Sequence, residues 1–219
     1  SLYFVFTFWA ALVGTGFSVL IRMELSKAGS VLLDSHLYNM VVTAHGLVMI
    51  FFFVMPMAMG AFGNWIIPLM MLTPDMAFPR LNNLSFWLLF VSMMMMMMSW
   101  FVGEGAGTGW TLYPPLSLFD YHSSRSADFV VLSLHLGGVS SIAAGINFTI
   151  AVFFMRIDAL CLKRVTMFSW CLAVTGFLLI IAMPVLAGGL TMLLSDRHFN
   201  TAFFNPDGKG DPLLFVHLF

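Results

Sequence analysis

The sequence predicts an all-α fold, a polytopic bundle of transmembrane helices, on the strength of three observations. Of the 219 residues, 60% are hydrophobic and only 9% are charged, and a soluble domain of this length has no interior large enough to bury so much apolar surface. The apolar residues form five runs, each near the roughly 20 residues that a helix needs to cross a bilayer. Neither an internal repeat nor a hydrophilic domain separates the runs, so we expect a single membrane domain over residues 1–219.

The predicted spans follow the apolar runs in order. They cover about residues 3–22, 37–62, 84–102, 127–155 and 167–194, and a sixth span starts near Pro212. The first run has no basic segment before it and no small-residue cleavage pattern after it, so we interpret it as a span and not as a signal peptide. Lysine and arginine are nearly balanced between the two sides and give no orientation. The acidic excess on one side favours an outward-facing Glu24 and 103–126 loop.

Cysteine, charge and methionine content limit the functional classes. Cys161 and Cys171 form neither a CxxC pair nor a disulfide framework. The net charge is −1 and the basic residues are scattered, so we expect no nucleic-acid binding. The 19 methionines include the run 93–98, and methionine can bind copper. This run continues around every face of a predicted span, which favours plain apolar packing, and we hypothesise that methionine replaces isoleucine through mitochondrial codon usage.

The second span contains the first candidate functional residue, His45. A histidine within lipid is costly and usually has a function. Its neighbours Thr43, Ala44 and Gly46 are small and leave room for a flat macrocycle, and imidazole is a common axial ligand of haem iron. The same pattern also fits a histidine that hydrogen-bonds to a neighbouring helix. The residues alone leave both interpretations open.

The other histidines have contexts that favour structural roles. His135 lies in the fourth span between small residues, and packing between helices is the favoured interpretation. His36, His122 and His198 fall in predicted loops, and His217 stands near the end of the chain. We expect these four to be solvated or structural.

The connection between the second and third spans contains Asn64, Asp75 and the pair Asn82 and Asn83. A carboxylate at the membrane surface, followed by amides that can hold water, is what the entrance of a proton path requires. The alternative is a tight turn in which Asp75 and Asn83 cap helices and the prolines fix the chain. Both can hold at once, and elementary physics favours the turn.

Two loops have glycine-containing patterns. Glu24 precedes Gly29 by five residues, and a carboxylate with a loop carbonyl suits a hard cation such as Na⁺ or Ca²⁺. Residues 103–110 read GEGAGTGW, but they follow a predicted membrane helix and not a strand, so they do not match a phosphate-binding loop. We interpret this stretch as a closely packed loop.

Taken together, these segments resemble the cytochrome c oxidase subunit 1 family of the haem-copper oxidases, in order from about Phe8 to Phe219. The matching pieces are LIRMEL at 20–25, VTAH at 42–45, GNW at 63–65, PDMAFPR at 74–80, GAGTGWTLYPP at 105–115, SLHL at 133–136, FFNP at 203–206, GDP at 210–212 and HLF at 217–219. The resemblance implies the amino-terminal portion of a twelve-helix fold.

The resemblance implies a role for each matching residue. His45 becomes an axial ligand of the low-spin haem a, with Arg22 near the haem formyl group and Tyr38 nearby. Trp110 lies close to a propionate of the high-spin haem.

It further implies that Asp75 is the entrance of a proton channel, with Asn64 and Asn82 as its first water-holding amides. Glu24 and the Gly29 carbonyl become ligands of a sodium or calcium ion. His135 is not a ligand in the family.

The sequence departs from the family pattern in three loops. Residues 26–29 read SKAG where a proline is common, and the ammonium of Lys27 can weaken or replace the cation. Residues 117–126 are unlike the usual small-residue stretch. Glu104 stands one position later than the usual acid, which puts a role for it in doubt.

The resemblance also implies partners, location and activity. The implied partners are other oxidase subunits including the dicopper subunit 2, cytochrome c as electron donor, and the lipid bilayer. The implied location is the mitochondrial inner membrane in preference to a bacterial plasma membrane. The family continues after HLF with the copper ligands and the remaining haem ligands. We therefore expect a proton-translocating cytochrome c oxidase that is incomplete as this chain alone and is completed by a second piece of subunit 1 with copper and a high-spin haem A.

Two other functions are compatible with the residues. One is an electron-transfer cytochrome in which His45 and His135 bind a single haem, and the other is a transporter with an ion path at Asp75.

Overall fold

The computed structural model describes residues 1–219 and contains helices and loops but no strand. Five helices are long and apolar enough to cross a membrane: α1 (Leu2–Glu24), α2 (Ser35–Met71), α3 (Pro79–Phe101), α4 (Ser126–Phe154) and α5 (Met167–His198). Two 3₁₀ turns lie in loops at Leu162–Arg164 and Pro206–Gly208, and a short helix α6 follows at Pro212–Leu218. The predicted all-α class, the five spans and the new helix at Pro212 are confirmed.

Helix α2 is longer than predicted because it passes through prolines without ending. It is α-helical over Ser35–Leu47, π-helical over Val48–Val54 and Pro56–Gly63, and α-helical again over Asn64–Met71. A proline has no amide hydrogen and its ring clashes with the carbonyl four residues back. The wider π-type turns change the hydrogen-bond partners, as at Met55, whose amide donates to Ile50 five residues back. The prediction that Asn64 lies in a connection was therefore wrong.

Two other helix ends also differ from the prediction. Helix α3 starts at Pro79, where the missing amide hydrogen costs nothing because the first turn has no partner for it. Asn82 is consequently helical and not in a loop. Helix α5 runs on to His198 and His36 lies in the first turn of α2, so the predictions that these two histidines lie in loops were wrong.

Helices α3 and α4 are joined by two pairs of buried serines. The Ser85 hydroxyl donates to the Ser140 carbonyl over 2.9 Å and the Ser140 hydroxyl donates to the Ser85 carbonyl over 2.6 Å. Ser92 and Ser133 exchange the same bonds over 2.6 and 2.7 Å. The pairs are seven residues apart on each helix, which fits antiparallel helices in steady contact. Every hydroxyl is satisfied, as a polar group within lipid requires.

Helices α4 and α5 touch through their backbones at Gly145 and Gly176. A Cβ atom on Gly145 would lie 2.7 Å from the Gly176 carbonyl oxygen, and one on Gly176 would lie 2.8 Å from the Gly145 carbonyl oxygen. Small residues allow this approach, which dispersion forces stabilise in the absence of a hydrophobic driving force between helices in lipid.

Helices α1 and α2 also approach each other at glycines. A Cβ on Gly60 would clash with the Tyr3 ring, and a Cβ on Gly14 would clash with Met49 Sδ. Low-numbered residues of α1 thus face high-numbered residues of α2, so the two helices are antiparallel. This contact determines the surroundings of His45.

Candidate functional site

His45 lies at the contact between α1 and α2. Its Nδ1 lies 2.9 Å from the carbonyl oxygen of Gly14. Because a carbonyl only accepts, Nδ1 has the hydrogen, and the neutral ring keeps a lone pair on Nε2. No protein group hydrogen-bonds to Nε2. A hydrogen bond to the opposite nitrogen is what orients an imidazole that binds a metal.

Two of the small neighbours of His45 are in contact with the 103–110 loop. Trp110 packs directly on Gly46. A Cβ added to Gly46 would lie only 3.0 Å from the Cβ of Trp110. The Thr43 hydroxyl accepts a hydrogen bond of 2.9 Å from the Gly109 amide. The 103–110 loop therefore occupies the space beside Thr43 and Gly46, and room for a macrocycle at the imidazole stays a prediction. The imidazole itself is half-buried and lies on the α1 side of the helix.

Trp110 belongs to a glycine-rich loop that lies closely against α2. Gly103, Gly105 and Gly109 have φ values of +64°, +80° and +79°, which side chains with a Cβ rarely adopt. A Cβ on Gly105 would also lie 2.6 Å from Met40 Cγ. The prediction of a closely packed loop is confirmed.

Arg22 and Tyr38 lie closer than His45 to the same end of the helix bundle. Tyr38 precedes His45 by seven residues on α2, and Arg22 follows Gly14 by eight on α1. Because the helices are antiparallel, Tyr38 and Arg22 lie on the same side of the His45–Gly14 contact, each about 11 to 12 Å from it along the helix axis. Arg22 is exposed and Tyr38 is half-buried, and neither side chain has a hydrogen-bond partner within the chain. Both are therefore free to contact a group placed beside His45.

His135 differs from His45 because both of its ring nitrogens have partners. Nδ1 lies 2.9 Å from the Val131 carbonyl of its own helix, and Nε2 lies 3.1 Å from the Thr191 hydroxyl of α5. The ring thus links α4 to α5 and has no free nitrogen for a metal. The predicted packing role of His135 is confirmed.

Asn64 and Asn82 line one cleft of about 710 Å³ between α1, α2 and α3. The Asn64 amide donates to the Gly60 carbonyl over 2.7 Å, while its Oδ1 is buried without a partner. A buried oxygen without a partner is a site for an ordered water. The structure thus brings together the two asparagines that the sequence singled out.

A line of hydroxyls continues inward from this cleft, and sequence reasoning missed it. Tyr3 lines the cleft, and its hydroxyl lies 2.9 Å from Ser85 Oγ. Ser85 contacts Ser140, whose hydroxyl lies 3.1 Å away, and a small cavity of about 30 Å³ adjoins both and Ser141. The only sequence signal was the seven-residue spacing of serines in two apolar runs.

Asp75 lies outside the cleft, on the loop between α2 and α3. It is exposed, and its Oδ1 accepts the Met76 amide over 2.7 Å. The N-cap of α3 is Phe78, so the interpretation of Asp75 and Asn83 as helix caps was wrong. Asn147 of α4 holds this loop through two hydrogen bonds to the Phe78 backbone. Its side chain accepts one from the Phe78 amide over 2.8 Å and donates one to the Phe78 carbonyl over 3.2 Å.

Glu24 closes the loop after α1. Its carboxylate accepts hydrogen bonds from the Ser30 hydroxyl at 3.0 Å and from the amides of Val31 and Leu32 at 2.9 and 2.7 Å. Gly29 lies within this loop with φ +101°, a conformation that favours glycine. The carboxylate and the Gly29 carbonyl therefore share a short loop, as the cation hypothesis requires, but three donors already occupy the carboxylate.

A buried ion pair joins the ends of α4 and α5 and was not predicted. Arg197 Nε donates to Asp128 Oδ1 over 2.6 Å with the Arg197 side chain fully buried. The remaining guanidinium nitrogens donate to the carbonyls of Ser117, His122 and Ser124 at 2.8 to 2.9 Å. Four of the five guanidinium N–H donors thus have acceptors, and these bonds tie the 117–126 loop to the bundle. The sequence signal was an acid and a base at the same end of adjacent spans.

The residues around His45 fit an axial haem ligand. The half-buried imidazole has Nδ1 fixed by the Gly14 carbonyl and Nε2 without a protein partner, and an imidazole nitrogen with an available lone pair is a common axial ligand of haem iron. By contrast, no group of three or more His, Cys, Asp or Glu side chains in the chain converges to hold a metal ion.

Comparison with known proteins gives consistent matches. The family described as Cytochrome C and Quinol oxidase polypeptide I matches residues 1–219. Proteins named cytochrome c oxidase subunit 1 are 47% identical in Pecten maximus, 46% in Eremothecium gossypii and 48% in Yarrowia lipolytica. Each alignment covers 100% of this chain and 46%, 41% and 41% of those relatives. The chain thus spans less than half the length of the curated relatives it matches.

Proposed function

Because this chain belongs to the cytochrome c and quinol oxidase polypeptide I family, we propose that it forms part of the catalytic subunit of a cytochrome c oxidase. In that enzyme electrons pass from cytochrome c through a low-spin haem to an oxygen-reducing haem-copper centre, and the transfer is coupled to proton pumping. The observation that supports this role most directly is the orientation of His45, with Nδ1 bound to Gly14 and Nε2 free.

Several residues of this chain would bind or surround a haem. A haem supplies one-electron redox chemistry when bound. His45 donates its Nε2 lone pair, and the Gly14 carbonyl makes that nitrogen more basic by accepting the Nδ1 hydrogen. Arg22, exposed at the end of α1, would place a cation near the formyl oxygen of a bound haem. Tyr38 would add a phenol on the same side, and Trp110, which packs on Gly46, would lie near a propionate of the second haem.

Protons enter on the side of Asp75. The exposed carboxylate attracts protons from the adjoining aqueous phase, and Asn64 and Asn82 hold water in the cleft that follows. Tyr3, Ser85 and Ser140 then offer hydroxyls that can both accept and donate. Such groups let a proton cross an otherwise dry bundle without a charged side chain at each step.

The loop after α1 is the proposed site of a sodium or calcium ion. Each Glu24 oxygen has lone pairs beyond those used by Ser30, Val31 and Leu32, and the Gly29 carbonyl adds a neutral oxygen, as hard cations prefer. Lys27 lies in the same loop, and its charge opposes a bound cation.

The proposed surroundings follow from the family. The chain is an integral membrane protein by its five spans, and we place it in the mitochondrial inner membrane because the relatives include subunits of animals and yeasts. We propose haem A as the haem type, with copper and a second haem A in the complete subunit. The partners are the dicopper subunit 2, the other oxidase subunits and cytochrome c.

The electron-transfer cytochrome with two histidine ligands is not favoured, because both nitrogens of His135 have protein partners. Pigment extraction from the purified complex tests the proposal. Haem A with a low-spin optical band supports the oxidase, whereas haem B alone indicates a cytochrome, and absence of haem indicates a transporter. Either of the last two results contradicts the proposed function.

A further inference from the structure

His122 is buried beneath the glycine-rich loop, where its two nitrogens use opposite hydrogen-bonding roles. Nδ1 lies 2.8 Å from the Leu116 carbonyl oxygen, and Nε2 lies 3.2 Å from the Gly107 amide nitrogen. A carbonyl only accepts and an amide N–H only donates, so Nδ1 has a hydrogen and Nε2 has none. Only the neutral imidazole satisfies both partners, since a hydrogen on Nε2 would point at the Gly107 N–H.

The bond from Gly107 reaches Trp110 along a short and constrained segment. Gly107 is three residues before Trp110, and a Cβ on Gly107 would lie 3.2 Å from the His36 ring. Gly109 between them donates to Thr43, and Trp110 packs on Gly46, the residue after His45. The contacts of one loop thus run from His122 to the residue beside the proposed haem ligand.

The charged and titratable groups around His122 come from three helices and from the loop itself. The His36 ring of α2 lies 5.6 Å away between centroids, and Arg197 of α5 donates to the His122 carbonyl. Glu104 belongs to the loop itself, while Asp128 of α4 and His198 of α5 pair with each other behind Arg197. Burial lowers the pKa of His122, His36 and Arg197 lower it further, and the Leu116 carbonyl and Glu104 act against them.

We propose that neutral His122 is a positioning residue that holds the 103–110 loop, and with it Trp110, against Thr43 and Gly46 of α2. Protonation of His122 opens the Gly107 contact and loosens Trp110. Because the folded protein resists this protonation, the closed loop is fully stable above the ordinary histidine pKa of 6.5 and loses stability as the pH falls below it. Loosening of Trp110 should also change the surroundings of the proposed haem ligand His45. This effect rests on the proposed function, whereas the contact between His122 and Gly107 does not.

Hydrogen–deuterium exchange of the purified complex tests the loop contact directly. Amide exchange in the peptide containing Gly107 would be measured between about pH 8 and pH 5, the range of histidine titration, and corrected for intrinsic exchange rates. The corrected rate should rise on the order of tenfold toward the acidic end, as expected for the loss of one buried hydrogen bond. The low-spin haem band should shift with the same midpoint.

Three variants separate titration from packing. His122→Gln keeps a donor and an acceptor but does not titrate, so its exchange should be independent of pH. His122→Phe should exchange rapidly at every pH, and His198→Gln, a matched control that does not contact Gly107, should behave as the wild type.

Constant protection of Gly107 in the wild type would overturn the proposal, and so would an unchanged pH response in His122→Gln. Since the wild-type titration needs no variant, it stands even where His122→Phe does not assemble. A complex without low-spin haem would refute the proposed function and leave the exchange result valid.

Discussion

The imidazole of His45 and the carbonyl of Gly14 join α2 to α1 through a hydrogen bond of 2.9 Å. The bond selects one tautomer and directs the free Nε2 away from the Gly14 carbonyl. The interpretation of His45 as a residue that hydrogen-bonds to a neighbouring helix is thus confirmed. The other nitrogen has no protein partner, as the proposed haem ligation requires.

Replacement of His45 by Leu should abolish the low-spin haem signal and leave membrane insertion largely intact, because leucine has no lone pair but suits a lipid-embedded helix. The optical spectrum of the purified complex measures this. His135→Leu is the matched control and should retain the signal, since His135 binds only Val131 and Thr191. An unchanged low-spin band in His45→Leu would remove His45 from the haem site.

Asp75→Asn should slow turnover and proton pumping in the assembled oxidase without altering haem content. The amide cannot release or accept a proton at the entrance, although it preserves the size of the side chain. Proton uptake after rapid mixing with oxygen measures the effect. Asp158→Asn changes another exposed acid on the same side of the membrane and should have no effect. Equal uptake in both variants would show that Asp75 has only a local structural role.

Gly145→Ala should destabilise the bundle by about 1–3 kcal/mol, the usual cost of overpacking a close contact. The added methyl would lie 2.7 Å from the Gly176 carbonyl oxygen, which is backbone and cannot turn away. Thermal unfolding of the purified complex compares it with Gly188→Ala, where no atom lies within 4 Å. A Gly145→Ala variant as stable as the control would mean that α4 and α5 do not touch at this point.

Arg197→Met should cost about 3–5 kcal/mol, because it leaves the Asp128 carboxylate without its guanidinium partner. It also removes the donors to the carbonyls of Ser117, His122 and Ser124. Assembly yield and limited proteolysis of the 117–126 loop measure the loss. Arg125→Met alters an exposed arginine of the same loop and should be neutral. Normal protease resistance in Arg197→Met would contradict an anchoring role.

The proposed proton path includes residues that could not be predicted from the sequence. Asp75 and Asn82 stood out because polar residues interrupt long apolar runs. Tyr3, Ser85 and Ser140 did not, because a hydroxyl within a membrane helix can be satisfied by its own backbone. Only the antiparallel contact of α3 with α4 places these serines opposite each other, and only the contact of α1 with α3 brings Tyr3 to Ser85.

The sequence by itself determined the class of the protein, the number of its spans and the identity of His45 as a special residue. These depend on local quantities, namely the length of apolar runs and the cost of a polar group in lipid. The tertiary structure alone decided the course of α2 through its prolines, the burial of His122 and Arg197, and the use of Gly46 by Trp110. Each of these depends on partners distant in the chain, because a polar group is satisfied or exposed only by what folds against it.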